Sequence, residues 1–140
     1  MTTSAKNPVV FKLGGEALTD KAALTAFLQK VKDIQQQRAV VIVHGGGPQV
    51  ETMMAATGLK TEKVDGLRCT PDSHLPFVVG ALAGVASQQL VACCHSVQLP
   101  ALGLSLADAG LFRSTIKDPK LGYVGETNGN DPKALQVLLD

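Results

Sequence analysis

Apolar residues near the start of the chain form two short runs separated by a helical pattern. The run Ala39–Val43 is continuous and mostly β-branched, which is typical of a strand covered on both faces in a parallel sheet. An earlier strand is predicted over Pro8–Phe11. Between them, a cap at Thr19 or Asp20 precedes apolar residues at helical spacing, namely Leu24, Phe27, Leu28, Val31 and Ile34. This order predicts a right-handed βαβ crossover, which brings the carboxyl ends of both strands to one edge of a parallel sheet.

The middle of the chain is predicted to be helical. A short helix is expected over residues 48–57, with Gly58 as its C-terminal stop. A longer apolar pattern begins at about residue 71 and continues to about residue 96. Gly80 and Gly84 lie four residues apart in this pattern and would let another helix or a second subunit approach closely. A contact within one core is the simpler interpretation.

Toward its end the chain is predicted to form strands and a final helix. Ala101–Leu106 has the pattern of a third buried strand, and residues 111–117 and 121–124 predict a hairpin with a polar turn between them. The segment 131–140 has a cap, a proline in the first turn and apolar helical spacing. A parallel sheet would normally continue with another strand after such a helix. We therefore expect the chain to be the front part of a larger fold.

Each of the first two predicted strands leads directly into a glycine turn. Gly45–Gly47 follow the second strand, with Pro48 opening a helix, and Lys12 with Gly14–Gly15 follows the first strand. Glycines remove the Cβ atoms that would hold an oxyanion away from the backbone N–H groups, and a helix N-terminus favours phosphate or carboxylate. Because ligands of parallel sheets bind at the carboxyl ends of the strands, the two turns predict one anion-binding crevice.

The spacing of these glycines also excludes some alternatives. Neither turn fits the dinucleotide pattern G-x-G-x-x-G or the P-loop pattern G-x-x-x-x-G-K-[ST], which argues against a Rossmann dehydrogenase and a P-loop NTPase. A tight strand-to-helix turn without a ligand is the alternative interpretation of the triple glycine.

Composition and charge narrow the class of protein further. The chain has 140 residues, 45% of them hydrophobic and 18% charged, which is ordinary for one globular domain. A formal net charge of +1 gives no electrostatic argument for nucleic acid or an anionic membrane. The opening residues are polar, and no apolar run is expected to act as a signal sequence or a membrane span, so a cytoplasmic location is expected. Three cysteines make no metal-spaced pair with the three histidines, and no metal site is predicted.

Several motifs together carry a resemblance to a known family. Lys12-Leu13-Gly14-Gly15, His44-Gly45-Gly46-Gly47 and Asp65-Gly66-Leu67-Arg68-Cys69-Thr70-Pro71 occur in this order. Gly80-Ala81-Leu82-Ala83-Gly84 and Gly122-Tyr123-Val124-Gly125 follow them. With these motifs the chain resembles the amino-acid kinase superfamily and, within it, the acetylglutamate kinase family of arginine biosynthesis. The resemblance covers nearly all of the chain.

The resemblance implies a fold and a reaction. It implies an α/β fold, a three-layer αβα sandwich with a mainly parallel sheet, in which residues 1–140 form the N-terminal acceptor-binding and dimerisation half. It also implies phosphoryl transfer from ATP, bound with Mg²⁺, to the side-chain carboxylate of N-acetyl-L-glutamate. The nucleotide-binding half is expected to lie beyond these residues. A homodimer through the helix 72–96 is implied as well.

The resemblance also implies roles for individual residues. Lys12 would neutralise charge on the transferred phosphoryl group, and Gly14 and Gly15 would contact that group through backbone N–H groups. Gly45–Gly47 would do the same around the acceptor carboxylate, and Arg68 would hold the α-carboxylate. These assignments agree with the chemistry, since phosphoryl transfer needs positioning and charge neutralisation and a guanidinium suits carboxylate recognition. Lys12 as a solvated lysine and Arg68 as half of a surface ion pair are the alternatives.

The function of the chain by itself is left with alternatives. It could be a fragment of an acetylglutamate kinase that supplies the acceptor site and is inactive alone. It could be a related enzyme such as an aminoadipate-type kinase, because the glycine turns are shared and only the Arg68 motif argues for the acetylated substrate. It could also be a non-catalytic half-domain that binds the acceptor or dimerises.

Overall fold

The computed structural model describes residues 7–131 and 133–139. Its first part is the expected βαβ unit. Strand β1 (Val9–Leu13) and strand β2 (Val40–His44) pair in parallel, with Lys12 opposite Val43 and Leu13 opposite His44. Helix α1 (Lys21–Gln35) connects them and is capped by the Asp20 carboxylate, which accepts from the Ala23 N–H at 3.0 Å. The shared register brings the ends of β1 and β2 to the same edge of the sheet.

The middle of the chain folds into helices on either side of a small hairpin. Helix α2 (Gly47–Ala56) starts directly after the glycine triplet. Strands β3 (Lys63–Val64) and β4 (Leu67–Arg68) follow as an antiparallel pair. The long helix Asp72–Ser96 then comprises a 3₁₀ turn, helix α3 (Leu75–Val79), a π-helical stretch (Gly80–Ala86) and helix α4 (Ser87–Ser96).

Two hydrophobic clusters hold these elements together. The larger cluster lies between α1, the first sheet and α4, and the smaller one joins α2 to the start of the long helix. The fully buried members of the larger cluster include Leu28 and Val31 from α1 and Ala86 from the long helix. Met54 from α2 is fully buried in the smaller cluster. Burial of such side chains stabilises a fold by roughly 1.5–3 kcal/mol each for the larger ones. The core therefore fixes α1, α2 and the long helix around the end of the parallel pair.

The long helix corrects one expectation from the sequence. It has 25 residues and a mean hydropathy of 1.7 over an 18-residue window, so by length and composition alone it could cross a membrane. In the structure its residues Ala81, Ala86, Leu90 and Cys94 are buried in the two clusters. In total, 28% of that 18-residue window is buried inside the domain.

The expected third strand is also wrong. Residues 101–106 form no strand in the described part of the chain, where the parallel sheet consists of β1 and β2. The segment lies on α4, with the Cβ position of Gly103 only 2.6 Å from Ser87 Oγ. Apolar content alone does not make a strand, because a strand needs a neighbour for its backbone N–H and C=O groups.

Two other expectations about strands need correction. β2 is not covered on both faces at its end, since Val43 is 46% exposed and Val10 of the neighbouring strand is 61% exposed. The terminal hairpin pairs β5 (Phe112–Ile116) with β6 (Gly125–Gly129), so its second strand begins after the predicted residues 121–124. Residues 119–121 form a 3₁₀ turn instead. Helix α5 (Lys133–Leu139) is present, while Pro132 and Asp140 of the predicted last helix lie outside the described residues.

Candidate functional site

The two glycine turns lie in direct contact at the end of the parallel sheet. A Cβ atom added to Gly15 would lie 2.7 Å from the Gly47 nitrogen and 3.1 Å from the Gly46 nitrogen. A Cβ added to Gly45 would lie 3.2 Å from the Gly15 nitrogen. Contacts this short with backbone atoms leave no room for a side chain. The prediction that the two turns converge is therefore confirmed.

The glycines divide into packing positions and open positions. Gly15, Gly45 and Gly46 face protein atoms, whereas nothing lies within 4 Å of the Cβ positions of Gly14 and Gly47. None of these five has a positive φ, so turn geometry does not require glycine there. Packing explains the first three. Open space beside the other two fits a position where an anion approaches the backbone.

The backbone donors divide differently, because only one of the five glycines has its N–H group engaged. The Gly45 N–H donates to the Leu13 carbonyl at 3.0 Å and thereby ties the second turn to the end of β1. Within the described ranges, the N–H groups of Gly14, Gly15, Gly46 and Gly47 make no backbone hydrogen bond. His44 reinforces the turn, since its ring Nδ1 donates to the Gly45 carbonyl at 2.9 Å. The site thus offers four N–H groups that a bound anion could use.

The long helix supports the triplet from the other side. The Cβ position of Gly46 lies 2.8 Å from Leu82 Cδ2 and 3.0 Å from Ala86 Cβ. Both neighbours belong to the π-helical stretch Gly80–Ala86. Rare π-helical turns occur often next to functional sites. Gly46 therefore permits the long helix to pack directly onto the turn.

Lys12 lies at the end of β1, one residue before the last position of the strand. Its side chain is exposed, and no ion pair involves it among the residues that the structure describes. Its position at the same sheet edge as the glycine turns agrees with the sequence prediction. Its role toward a phosphoryl group stays a prediction.

Arg68 lies on the β3–β4 hairpin and contacts α2. Asp65 and Gly66 both have positive φ, 50° and 79°, as in a two-residue hairpin turn, and this turn sets Lys63 opposite Arg68. The Arg68 side chain is only 15% exposed. Its Nη2 donates to Glu51 Oε1 at 2.7 Å, and Lys63 Nζ lies 3.2 Å from the same oxygen. Arg68 therefore does form an ion pair, as the alternative interpretation expected, but its side chain is largely buried and does not lie on the surface.

The electrostatics of this pair favour a permanently charged carboxylate. The hydrogen bond from Arg68 and then that from Lys63 lower the pKa of Glu51 from an ordinary 4.5 to about 2, against a smaller opposing effect of burial. Glu51 is thus ionised at any pH near neutrality. Arg68 Nη1, by contrast, is buried and has no hydrogen-bond partner among the described residues. A buried charged donor is costly to leave without a partner.

Glu51 and Lys63 are site residues that the sequence reasoning missed. Glu51 lies four residues after Gly47 on α2, which places it one helical turn beyond the triplet. Lys63 is recognised only from the register of the hairpin, which places it opposite Arg68. An acidic residue one turn after a glycine triplet, followed by a basic hairpin, is the signal that could have identified the pair.

A separate pocket lies beside the hairpin. It has a volume of about 530 Å³, and its lining includes Lys60, Cys69, His74 and Lys120. None of the glycine-turn residues lines it. Elsewhere in residues 7–131 and 133–139, no group of three or more His, Cys, Asp or Glu side chains is arranged to hold a metal ion.

The parallel pair with its helices defines an α/β protein in which two glycine turns converge at the carboxyl ends of the strands. The chain belongs to the amino acid kinase family, whose model matches residues 7–140. Curated relatives named acetylglutamate kinase include that of Vibrio vulnificus strain YJ016, which is 43% identical over 142 residues and covers 100% of this chain. That of Shewanella pealeana is 41% identical over 138 residues, or 98% of this chain. The resemblance drawn from the motifs is confirmed.

Solved structures support the fold class. The crystal structure of smu.665 from Streptococcus mutans UA159 has a TM-score of 0.81 at 23% identity and covers 94% of this chain and 54% of its own. N-acetylglutamate synthase from Neisseria gonorrhoeae, complexed with coenzyme A and N-acetyl-glutamate, has a TM-score of 0.70 at 20% identity over 95% of this chain and 31% of its own. The prediction of an αβα amino-acid kinase-like fold is thereby confirmed. The chain spans about half the length of the two acetylglutamate kinases it matches, 54% and 52% respectively.

Proposed function

We propose that this chain forms the acceptor-binding half of an acetylglutamate kinase. The reaction is phosphoryl transfer from ATP, bound with Mg²⁺ by a nucleotide-binding half, to the side-chain carboxylate of N-acetyl-L-glutamate in arginine biosynthesis. The observation that carries this proposal is the contact between the two glycine turns, with open space left at Gly14 and Gly47. The names and identities of the relatives supply the substrate.

Each residue then has a defined task. The N–H groups of Gly14 and Gly15 receive the transferred phosphoryl group, and Lys12 neutralises part of its charge. The second turn, Gly45–Gly47, surrounds the acceptor carboxylate, with the donors of Gly46 and Gly47 available because that of Gly45 is engaged by Leu13. Arg68 holds the α-carboxylate, while its Nη2 is paired with Glu51.

Replacement of Arg68 by alanine tests the substrate. We expect the 140-residue chain to bind N-acetylglutamate weakly, and Arg68→Ala to lower the affinity by about tenfold to a hundredfold, because a charge-assisted hydrogen bond contributes roughly 1.5–3 kcal/mol. Chemical shift changes during an NMR titration measure this weak binding. Equal affinity of wild type and variant would contradict the carboxylate assignment.

The titration also separates the alternatives. An aminoadipate-type kinase would bind the longer dicarboxylate in preference to N-acetylglutamate. A half-domain that only dimerises would show no saturable shift with either ligand. Lys60→Ala is the matched control, because Lys60 is an exposed cation beside the separate pocket, and it should leave the affinity unchanged.

We further propose a homodimer through the long helix. Its outer face exposes Val79 by 52% and Val85 by 37%, next to the exposed small residues Ala83 and Gly84. Exposed apolar and small residues on one helix of a globular domain fit a protein contact. Gly80 is a less suitable probe of this face, because its Cβ position lies 3.8 Å from Met53 Sδ within the domain.

Charged substitutions on this face should dissociate the dimer. Val79→Glu with Val85→Glu is expected to raise the dissociation constant at least about tenfold, since an unpaired buried carboxylate is costly. Sedimentation over a range of concentrations measures this. Ala26→Glu, on an exposed position of α1, should leave the dimer intact. A wild-type chain that sediments as a monomer at high concentration would contradict the proposal.

The proposed location is the cytoplasm. The long helix buries residues of both hydrophobic clusters, so its apolar character has a use within the domain.

A further inference from the structure

The contacts of one carboxylate on α2 suggest a role that the glycine and arginine motifs do not reveal. Glu51 Oε1 accepts from Arg68 Nη2 at 2.7 Å and from Lys63 Nζ at 3.2 Å, while Oε2 accepts from Thr61 Oγ1 at 3.1 Å. All three donors belong to the hairpin β3–β4 and the residues just before it. A single side chain of α2 therefore fastens this segment to the helix.

The burial of the two partners shows which of them is being held. The Arg68 side chain is 15% exposed and the Glu51 side chain 44% exposed, so the guanidinium is inserted and the carboxylate lies nearer the surface. The guanidinium is planar and rigid, and fixing one terminal nitrogen fixes the direction of the other. Arg68 Nη1 is buried without a partner in the described part of the protein.

We infer that Glu51 is the positioning residue for Arg68: it holds Nη2 and thereby fixes the direction of the guanidinium that meets a carboxylate of the ligand. The identity of that ligand rests on the proposed function, whereas the orientation of Arg68 by Glu51 does not. Glu51 lies one helical turn after Gly47, so α2 fixes the distance between the glycine triplet and the residue that holds Arg68. The spacing of the two anion contacts is thereby set by a rigid helix instead of by the hairpin alone.

The competing explanation is that Glu51 only stabilises the hairpin, because it also contacts Lys63 and Thr61. The two explanations differ in how substitutions combine. If Glu51 acts through Arg68, its effect on binding vanishes once Arg68 is gone. If Glu51 only braces the hairpin, its loss weakens binding whether or not Arg68 is present.

The experiment uses the 140-residue chain with E51Q, R68A, the double variant, and E62Q as matched control. Glu62 is an exposed carboxylate in the same segment and makes no ion pair among the described residues, so E62Q removes the same charge without touching Arg68. The affinity for N-acetylglutamate is measured by titration for every variant. The rate of Arg68 guanidinium rotation is measured by side-chain ¹⁵N NMR for wild type, E51Q and E62Q, which retain Arg68.

We expect slow guanidinium rotation in wild type and E62Q and fast rotation in E51Q. We expect E51Q to lower the affinity about tenfold, as for one charge-assisted contact, and to change nothing further in the R68A background. Unchanged rotation in E51Q, or an equal loss of affinity in both backgrounds, would overturn the inference. A wild-type chain that binds no N-acetylglutamate would instead refute the proposed ligand, and the rotation rates would still decide the role of Glu51.

Discussion

Lys12→Ala should abolish the acyl-phosphate formation that this chain gains when the C-terminal half of an acetylglutamate kinase, such as that of Vibrio vulnificus, is supplied in trans. The transferred phosphoryl group carries negative charge on its equatorial oxygens, and the protein's main contribution to such a reaction is to position and neutralise them. Lys12 is the lysine near the end of β1, at the edge of the sheet where the two glycine turns follow the strands. We expect a loss of about a thousandfold or more, as for other cations in phosphoryl transfer.

The hydroxamate assay with ATP, Mg²⁺ and N-acetylglutamate measures this directly. Lys30→Ala is the matched control, because Lys30 is an exposed lysine of α1 remote from the turns in the sequence, and it should keep full activity. Recovered turnover by the Lys12 variant equal to that of the Lys30 variant would remove Lys12 from the reaction.

The 140-residue chain without the added half should give no measurable product. Its described residues supply Lys12 and the N–H groups of two turns, and they include no cluster of side chains arranged to hold a metal ion. One lysine cannot balance the several charges of ATP and the acceptor. Robust turnover by the chain alone would show that its reading as the acceptor half is wrong.

Local sequence patterns were sufficient for the elements that position the site. The β-branched run before the glycine triplet and the apolar spacing of α1 predict a βαβ unit, and the parallel pairing of its strands brings the two turns together. The hairpin β3–β4 was not predicted, although its Asp65-Gly66 pair is a local signal of a tight turn. In these cases the deciding interactions lie within a few residues of the pattern.

Other features depend on contacts that the sequence does not display. Residues 101–106 have a strand-like composition, yet a strand requires a pairing partner, and the described sheet provides none. Glu51 looks like any exposed helical acid until the hairpin folds back and brings Arg68 within 2.7 Å. Residues distant in the sequence decide both the absence of a strand at residues 101–106 and the contact of Glu51 with Arg68, so the periodicity of the sequence could not reveal either.

The roles of the five glycines in the two turns also depend on contacts that the sequence does not display, and substitutions can distinguish these roles. All five look alike in the sequence, but Gly15→Ala would set a Cβ 2.7 Å from the Gly47 nitrogen and 2.9 Å from Pro48 Cδ. These are atoms of a backbone turn and a proline ring, which cannot move aside as a flexible side chain can. We expect Gly15→Ala to lower the free energy of unfolding by about 1–3 kcal/mol, as overpacking does elsewhere, and to eliminate ligand binding by forcing the two turns apart.

Gly14→Ala is the matched comparison, because nothing lies within 4 Å of its Cβ position. Urea unfolding should show stability within about 0.5 kcal/mol of wild type, since a substitution that meets no other atoms is usually mild. If the space beside Gly14 holds the transferred phosphoryl group, the same methyl group blocks it, and activity in the complemented assay falls while stability does not. Equal destabilisation by the two variants would show that the turns are not in the contact described. Full activity of Gly14→Ala would show that the open space beside it is not where the phosphoryl group binds.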